Sequence, residues 1–88
     1  KNPRTKGHSL IISKKHFETI LNMNSTLGPE LINCIKGTVI KLMKERNFDG
    51  FNIVNNNFEA AGQVVKHLHF HIIPRRKDDN VEKELVFP

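Results

Sequence analysis

The most constraining stretch of the chain is His67-Leu68-His69-Phe70-His71-Ile72-Ile73-Pro74, where histidines alternate with apolar residues. Successive side chains of an extended strand point to opposite faces, whereas helical faces repeat every 3.6 residues. Strict period two therefore predicts a strand, with Leu68, Phe70 and Ile72 turned into a core. His67, His69 and His71 then stand in a row on the other face. The same alternation extends the predicted strand back to Val64 and forward to Ile73, with Pro74 as its stop.

The remaining elements follow from shorter signals. Ser9–Ser13 (SLIIS) is an apolar run behind Gly7 and predicts a strand. Lys14–Met23 has room for a short helix with Phe17, Ile20 and Leu21 on one side, and Asn24–Gly28 is turn-like. Pro29 to Arg46 is the clearest helix. Proline suits its first turn, and Leu31, Ile32, Ile35, Val39, Leu42 and Met43 recur every three or four residues as one buried stripe. Lys36, Lys41, Lys44 and Glu45 fall on the water side. Asn47–Gly50 turns the chain into a strand at Phe51–Asn55, and Phe58–Gly62 is a loop ending in Ala-Ala-Gly. The charged tail Arg75–Lys83 is expected to be exposed, with Leu85–Phe87 docking back. Without repeat, low-complexity tract or linker, residues 1–88 read as one domain.

Composition narrows the function classes. Apolar residues make up 38% of the chain, the share of an ordinary globular protein, which argues against disorder. No apolar run approaches the roughly 18 to 20 residues of a membrane span, and no signal peptide is visible. Cys34 is the single cysteine, so no internal disulfide forms, and a reducing, cytoplasmic setting fits best. A net charge of +5 suits an anionic partner, although solvated surface lysines explain it equally simply. The Lys41–Arg46 cluster has no interleaved aromatic residues for stacking, which argues against nucleic acid. Cys34 at mid-helix reads as a small half-buried residue.

Imidazole titrates near neutrality, attacks as a nucleophile and donates hydrogen bonds to phosphate oxygens, so a histidine row suits a phosphate platform. Two histidines at i and i+2 can also clasp a zinc ion. The first and third, however, stand about 13 Å apart along a strand, and all three cannot close on one ion. Spacing alone leaves phosphate chemistry, metal binding and a structural face all open.

The surrounding residues carry a resemblance. Gly62-Gln63-Val64-Val65-Lys66 followed by HLHFHIIPR is similar to the signature of the histidine-triad (HIT) family. Asn2 to His16 (NPRTKGHSLIISKKH) resembles that family's first conserved segment, and Asn55-Asn56-Asn57 resembles a third block, all in family order. The resemblance implies an α+β fold: a mainly antiparallel sheet of about five strands with one long and one short helix. The family's first two strands would precede the Asn-Pro segment and are not represented here. It implies a homodimer, a purine nucleotide as partner and no cofactor.

It also implies roles. His69 would attack the α-phosphorus and form a nucleotidyl-histidine, which water then hydrolyses. His71 would hydrogen-bond the phosphate oxygens, and His67 would orient the middle imidazole and fix its tautomer. Gln63 would contact phosphate, Asn56 would hold phosphate or ribose, and Gly62 would let backbone N–H groups approach closely. The function implied is hydrolysis or transfer at the α-phosphate of a purine nucleoside phosphoramidate. The alternatives are a diadenosine polyphosphate hydrolase and a non-catalytic nucleotide-binding or scaffold protein; an intact His69 argues against the last.

Three positions depart from the family pattern. Val64 stands where many members carry Ser or Thr, Phe58 where Gly is common, and Ser13 where Pro is usual. His16 and His67 resemble two ligands of a structural zinc that some members hold with an N-terminal cysteine pair. Two ligands rarely hold such a zinc, so no metal is assigned. His16 reads otherwise as a locally bonded residue at a helix start. His8 is expected to be structural.

Overall fold

A computed structural model describes residues 8–79 of the chain. The elements are strand β1 (Ser9–Ile12), helix α1 (Gly28–Glu45), strand β2 (Gly50–Val54) and strand β3 (His69–Arg75). The sheet is antiparallel in the order β1-β3-β2, so the last strand in sequence is central among the described residues. Ile11 pairs with Phe70, Leu10 with His71 and Ile12 with His69. On the other side, Ile53 pairs with Ile72 and Asn52 with Ile73. Directly paired residues share a face. One face therefore carries Ile11, Phe70 and Ile72, and the other carries His69, His71, Leu10 and Ile12.

Helix α1 covers the first face. Its Ile35, Val39 and Leu42 join Ile11, Phe48, Leu68, Phe70 and Ile72 in one buried cluster. The helix begins with a proline in its first turn, carries Glu30 there and ends with Lys44 in its last turn, charges that complement its dipole. The buried stripe is narrower than its periodicity predicts: Ile32 and Met43 are more than half exposed, and Ile40 with them. A three-stranded sheet supports only a narrow seam of the helix. Phe48, in the turn after α1, fills the end of the core instead.

Four expectations need correction. Lys14–Met23 forms no short α-helix, only a single 3-10 turn at Ile20–Asn22, capped by Thr19 with Asn22 bonding back to it. A second turn, Ser25–Leu27 capped by Asn24, leads into α1. Such short segments cannot meet the nucleation cost of an α-helix without an apolar face to bury. Phe17 does pack on the core, but Ile20 and Leu21 lie exposed. Second, β3 begins at His69 and not at Val64, because Val64 and Val65 are exposed and have no strand partner. Pro74 does not stop it; the strand runs to Arg75, with Pro74 opposite Phe51. A proline removes one donor but keeps its carbonyl, and next to a strand end that loss is tolerated. Third, Cys34 is exposed, not half-buried.

Fourth, the start of the charged tail is anchored. The Asp79 carboxylate accepts from Nε and Nη2 of Arg75 at 2.9 Å each, and Asn52 Oδ1 accepts from Nη1 at 2.8 Å. The hydrogen bond and the charge of Asp79 raise the guanidinium pKa further above its ordinary value. The docking expected of Leu85–Phe87, and the segment Asn2–Gly7, lie outside the described residues.

Ile72 has no solvent exposure and belongs to the buried cluster that α1 shares with the central strand. Ile72→Ala should lower unfolding free energy by about 2–5 kcal/mol in urea titration, whereas Ile40→Ala, on the exposed side of α1, should cost under about 1 kcal/mol.

Candidate active site

His69 and His71 project from the face of the central strand opposite α1, the face that also carries the fully buried Ile73. Their rings stand edge to face, with centroids 5.1 Å apart. The Nδ1 of His69 lies 2.7 Å from the main-chain oxygen of His67. A carbonyl only accepts, so Nδ1 carries the hydrogen in that bond. The lone pair of a neutral His69 ring then sits on Nε2, the outer nitrogen and the one suited to attack. The tautomer is thus set by the backbone of His67 and not by its ring.

His67 is not on the strand face with the other two, because β3 has not yet begun there. Its Nε2 lies 3.0 Å from the carbonyl oxygen of Ser13, and its ring meets His16 edge-on at a centroid distance of 4.9 Å. His16 is exposed and belongs to a loop, not a helix start. Among the described residues no group of three or more histidine, cysteine or acidic side chains is placed to hold a metal.

His71 is buried and bonded to His8, whose Nε2 lies 3.0 Å from His71 Nδ1. The sequence reading set His8 aside as structural, yet the fold brings it from position 8 to the edge of the histidine pair. The strand register explains the contact: His8 stands two residues before Leu10, and Leu10 is opposite His71 on β3.

The asparagine run divides its work between bracing the backbone and leaving Asn56 uncommitted. Asn55 Nδ2 donates to the carbonyl of His69 at 2.9 Å. Asn57 Nδ2 donates to Asn55 Oδ1 at 2.7 Å, and Asn57 Oδ1 accepts from Ile20 N–H at 2.8 Å. Asn55 and Asn57 therefore form a brace between the backbone of His69 and the Thr19-capped turn. The alternation that singles out the histidines also separates Asn55 and Asn57 from Asn56. Asn56 is half-buried and uses its side chain in no hydrogen bond among the described residues.

Gln63 is buried, and both ends of its amide meet backbone. Its Oε1 accepts from Phe58 N–H at 2.7 Å, and its Nε2 donates to the carbonyl of Glu18 at 2.5 Å. In this rotamer it ties two loops together. Gly62 has φ 93°, a left-handed conformation that glycine adopts without cost.

Phe58 has φ 72° and ψ 155°, a region open almost only to glycine, although its side chain is largely exposed. Its position is held by Gln63, whose N–H donates to the Phe58 carbonyl while its side chain takes the Phe58 N–H. Two cavities flank these elements. One, of about 310 Å³, lies on the α1 side between Ile11, Leu31, Cys34 and Phe70 and contains none of the histidines. The other, of about 440 Å³, lies between Glu18–Thr19 and the Phe58–Lys66 loop.

A helix-backed antiparallel sheet with two histidines on the face opposite the helix and a third feeding a carbonyl to the middle one is the arrangement of a histidine-triad domain. Residues 1–78 match the HIT domain model. The chain is 51% identical over 80 residues to a HIT-like protein of Methanocaldococcus jannaschii, covering 89% of this chain and 60% of that one. It is 31% identical over 77 residues to the adenosine 5'-monophosphoramidase of Schizosaccharomyces pombe, covering 88% and 55%. The crystal structure of a histidine-triad nucleotide-binding protein from Sulfolobus tokodaii superposes with a TM-score of 0.82 at 35% identity, covering 96% of this chain and 58% of that one. The chain belongs to the HIT family. It spans about three fifths of the length of the relatives it matches.

The strain at Phe58 predicts a gain on removal. Phe58→Gly should raise stability by about 1 kcal/mol: relief of roughly 1–3 kcal/mol of backbone strain outweighs the roughly 0.5–1 kcal/mol of added chain entropy. Phe58→Ala keeps the strain and should show no gain in the same thermal melts.

Proposed function

We propose that the protein is a nucleoside phosphoramidase, cleaving the P–N bond at the α-phosphate of a purine nucleotide through a covalent nucleotidyl-His69. The observation that carries this reading is the 2.7 Å contact from His69 Nδ1 to the His67 carbonyl, which leaves Nε2 as the nucleophile. Membership of the family and the named activity of the fission-yeast relative support the reaction class.

His69 Nε2 attacks the phosphorus. His71, oriented by His8, hydrogen-bonds the phosphate oxygen as charge develops, and passes its proton to the departing nitrogen as the P–N bond breaks. Water then attacks the nucleotidyl-histidine and returns a proton to His71. The products are the free amine and the nucleoside monophosphate, and His69 is regenerated. Asn55 holds the backbone beneath the nucleophile. Asn56, with its amide unused, is placed to take ribose or phosphate, and Leu10 and Ile12 offer apolar surface beside the histidines. His67 acts through its carbonyl, and the Gly62–Gln63 turn fixes the loop that leads into β3.

His69→Asn should reduce kcat on an adenosine phosphoramidate by about 10³-fold or more, with nucleotide affinity within about threefold, since the amide fills the space but cannot form the covalent bond. His71→Asn should cost less, about 10²–10³-fold. Intact mass after single turnover should show a nucleotidyl adduct on the wild type alone; an adduct that persists in the His69→Asn protein would falsify the assignment. Tight nucleotide binding with neither adduct nor turnover in the full-length wild type would favour a binding protein.

The protein is also proposed to work as a homodimer. β2 is an edge of the described sheet, and its Phe51 and Ile53 are exposed, as are Ile40 and Met43 of α1. Exposed apolar residues along an unpaired strand favour pairing with another chain. The full-length protein should sediment as a dimer at micromolar concentration, and a monomer alone under those conditions would count against this assembly.

A further inference from the structure

We infer that Asn55 and Asn57 are positioning residues for His69: with the Phe17–Ile20 segment they close a hydrogen-bonded circuit that holds the His69 proton on Nδ1. The inference rests on the phosphoramidase reading and adds to it the side chains that prepare the nucleophile. An imidazole free in water carries its proton mainly on Nε2, the atom that must be bare for attack. The site therefore has to impose the other tautomer, and the bond made by one ring nitrogen decides which of the two is protonated.

The circuit begins and ends on the segment that carries the nucleophile. Leu68 N–H donates to the Phe17 carbonyl at 2.6 Å. Three residues on, Ile20 N–H donates to Asn57 Oδ1 at 2.8 Å. Asn57 Nδ2 donates to Asn55 Oδ1 at 2.7 Å, and Asn55 Nδ2 donates to the His69 carbonyl at 2.9 Å. The two ends fix both amide orientations, because Ile20 N–H can only donate and the His69 carbonyl can only accept. Gln63 Nε2 donates to the Glu18 carbonyl, and the buried Thr19 accepts from Leu21 N–H, so the far side of the circuit is itself tied down.

Each end acts on a peptide unit next to the nucleophile. Leu68 N–H and the His67 carbonyl belong to one planar trans peptide and point in opposite directions. Tying the N–H to Phe17 fixes the plane in which that carbonyl meets His69 Nδ1, 2.7 Å away. The donation also polarises the unit, and a more negative oxygen is a stronger acceptor for the Nδ1 proton. At the other end, β2 stops at Val54, opposite His71, and reaches no further along β3. Asn55 supplies from its side chain a donor for the His69 carbonyl beyond the end of that strand. With both peptide units held, the imidazole keeps its register with the His67 carbonyl.

The test compares the full-length wild type with Asn55→Ala, Asn57→Ala and Asn24→Ala. Asn24 caps the Ser25–Leu27 turn through Thr26 N–H, so its loss also removes an amide bond from a turn, but outside the circuit. Side-chain nitrogen NMR, with the His69 signals assigned by their loss in His69→Asn, reads the tautomer of the neutral ring. The wild type should show the proton on Nδ1. Asn55→Ala and Asn57→Ala should move a measurable fraction to Nε2 and lower kcat on an adenosine phosphoramidate by about tenfold or more, with nucleotide affinity within about threefold. Asn24→Ala should change neither tautomer nor kcat. Asn57 lies at the more exposed end of the circuit, so its variant decides the question if Asn55→Ala does not fold. An unchanged tautomer in the Asn57 variant, or an equal shift in Asn24→Ala, overturns the positioning role and leaves the phosphoramidase reading standing. Neither adduct nor amine release from a wild type with the proton on Nδ1 overturns that reading, and the tautomer comparison still decides the role of the two asparagines.

Discussion

Burial of Phe70 and Ile72 beneath α1 is the constraint on which the site depends. β3 is the central described strand, paired on both sides, and its inner residues are locked against Val39, Leu42 and Ile11. Because side chains alternate strictly, pinning those two inward fixes His69 and His71 outward. A slip of one residue would send the histidines into the core and the apolar residues into water, at a cost of several kcal/mol in lost burial alone. The core thus chooses the face that the histidines occupy, and the orientation of His69 follows from packing it does not touch.

Polar side chains then do the work of backbone around this strand. Asn55, Asn57 and Gln63 each bond main-chain groups on other segments, joining His69, Ile20, Phe58 and Glu18. Amide side chains carry both a donor and an acceptor, so they can satisfy irregular loops that no ladder reaches. Such loops would otherwise leave unpaired groups at the edge of the core. The two loops that border the second cavity are held in this manner, and the strained Phe58 is one of the points held. A backbone conformation that costs energy persists only where its surroundings over-determine it.

Much of this was legible before folding. The period-two histidine block predicted a strand with Leu68, Phe70 and Ile72 inward, and the 3.6-residue pattern predicted α1 to within about a residue at each end. The family resemblance identified the fold class and pointed to His69. Less legible were the roles of neighbours. His67 was expected in line with its fellows but leaves the strand before the row begins. The contacts of His8, Asn55 and Asn57 were not legible, because bonds at separations of 63, 14 and 37 residues leave no local pattern.

The sequence by itself determined which residues are apolar and at what period they recur, and hence the identity of the main strand, the main helix and the histidine-bearing face. Those properties are local, since they follow from the geometry of a few consecutive residues. Only the tertiary structure decided that β3 is flanked by β1 and β2, that the His67 carbonyl meets the His69 ring, that His8 reaches His71, and that Phe58 occupies a conformation fit for glycine. Each of these depends on where a distant segment lies. That position is set by the packing of α1 on the sheet and by hydrogen bonds between loops, neither of which a period in the sequence encodes.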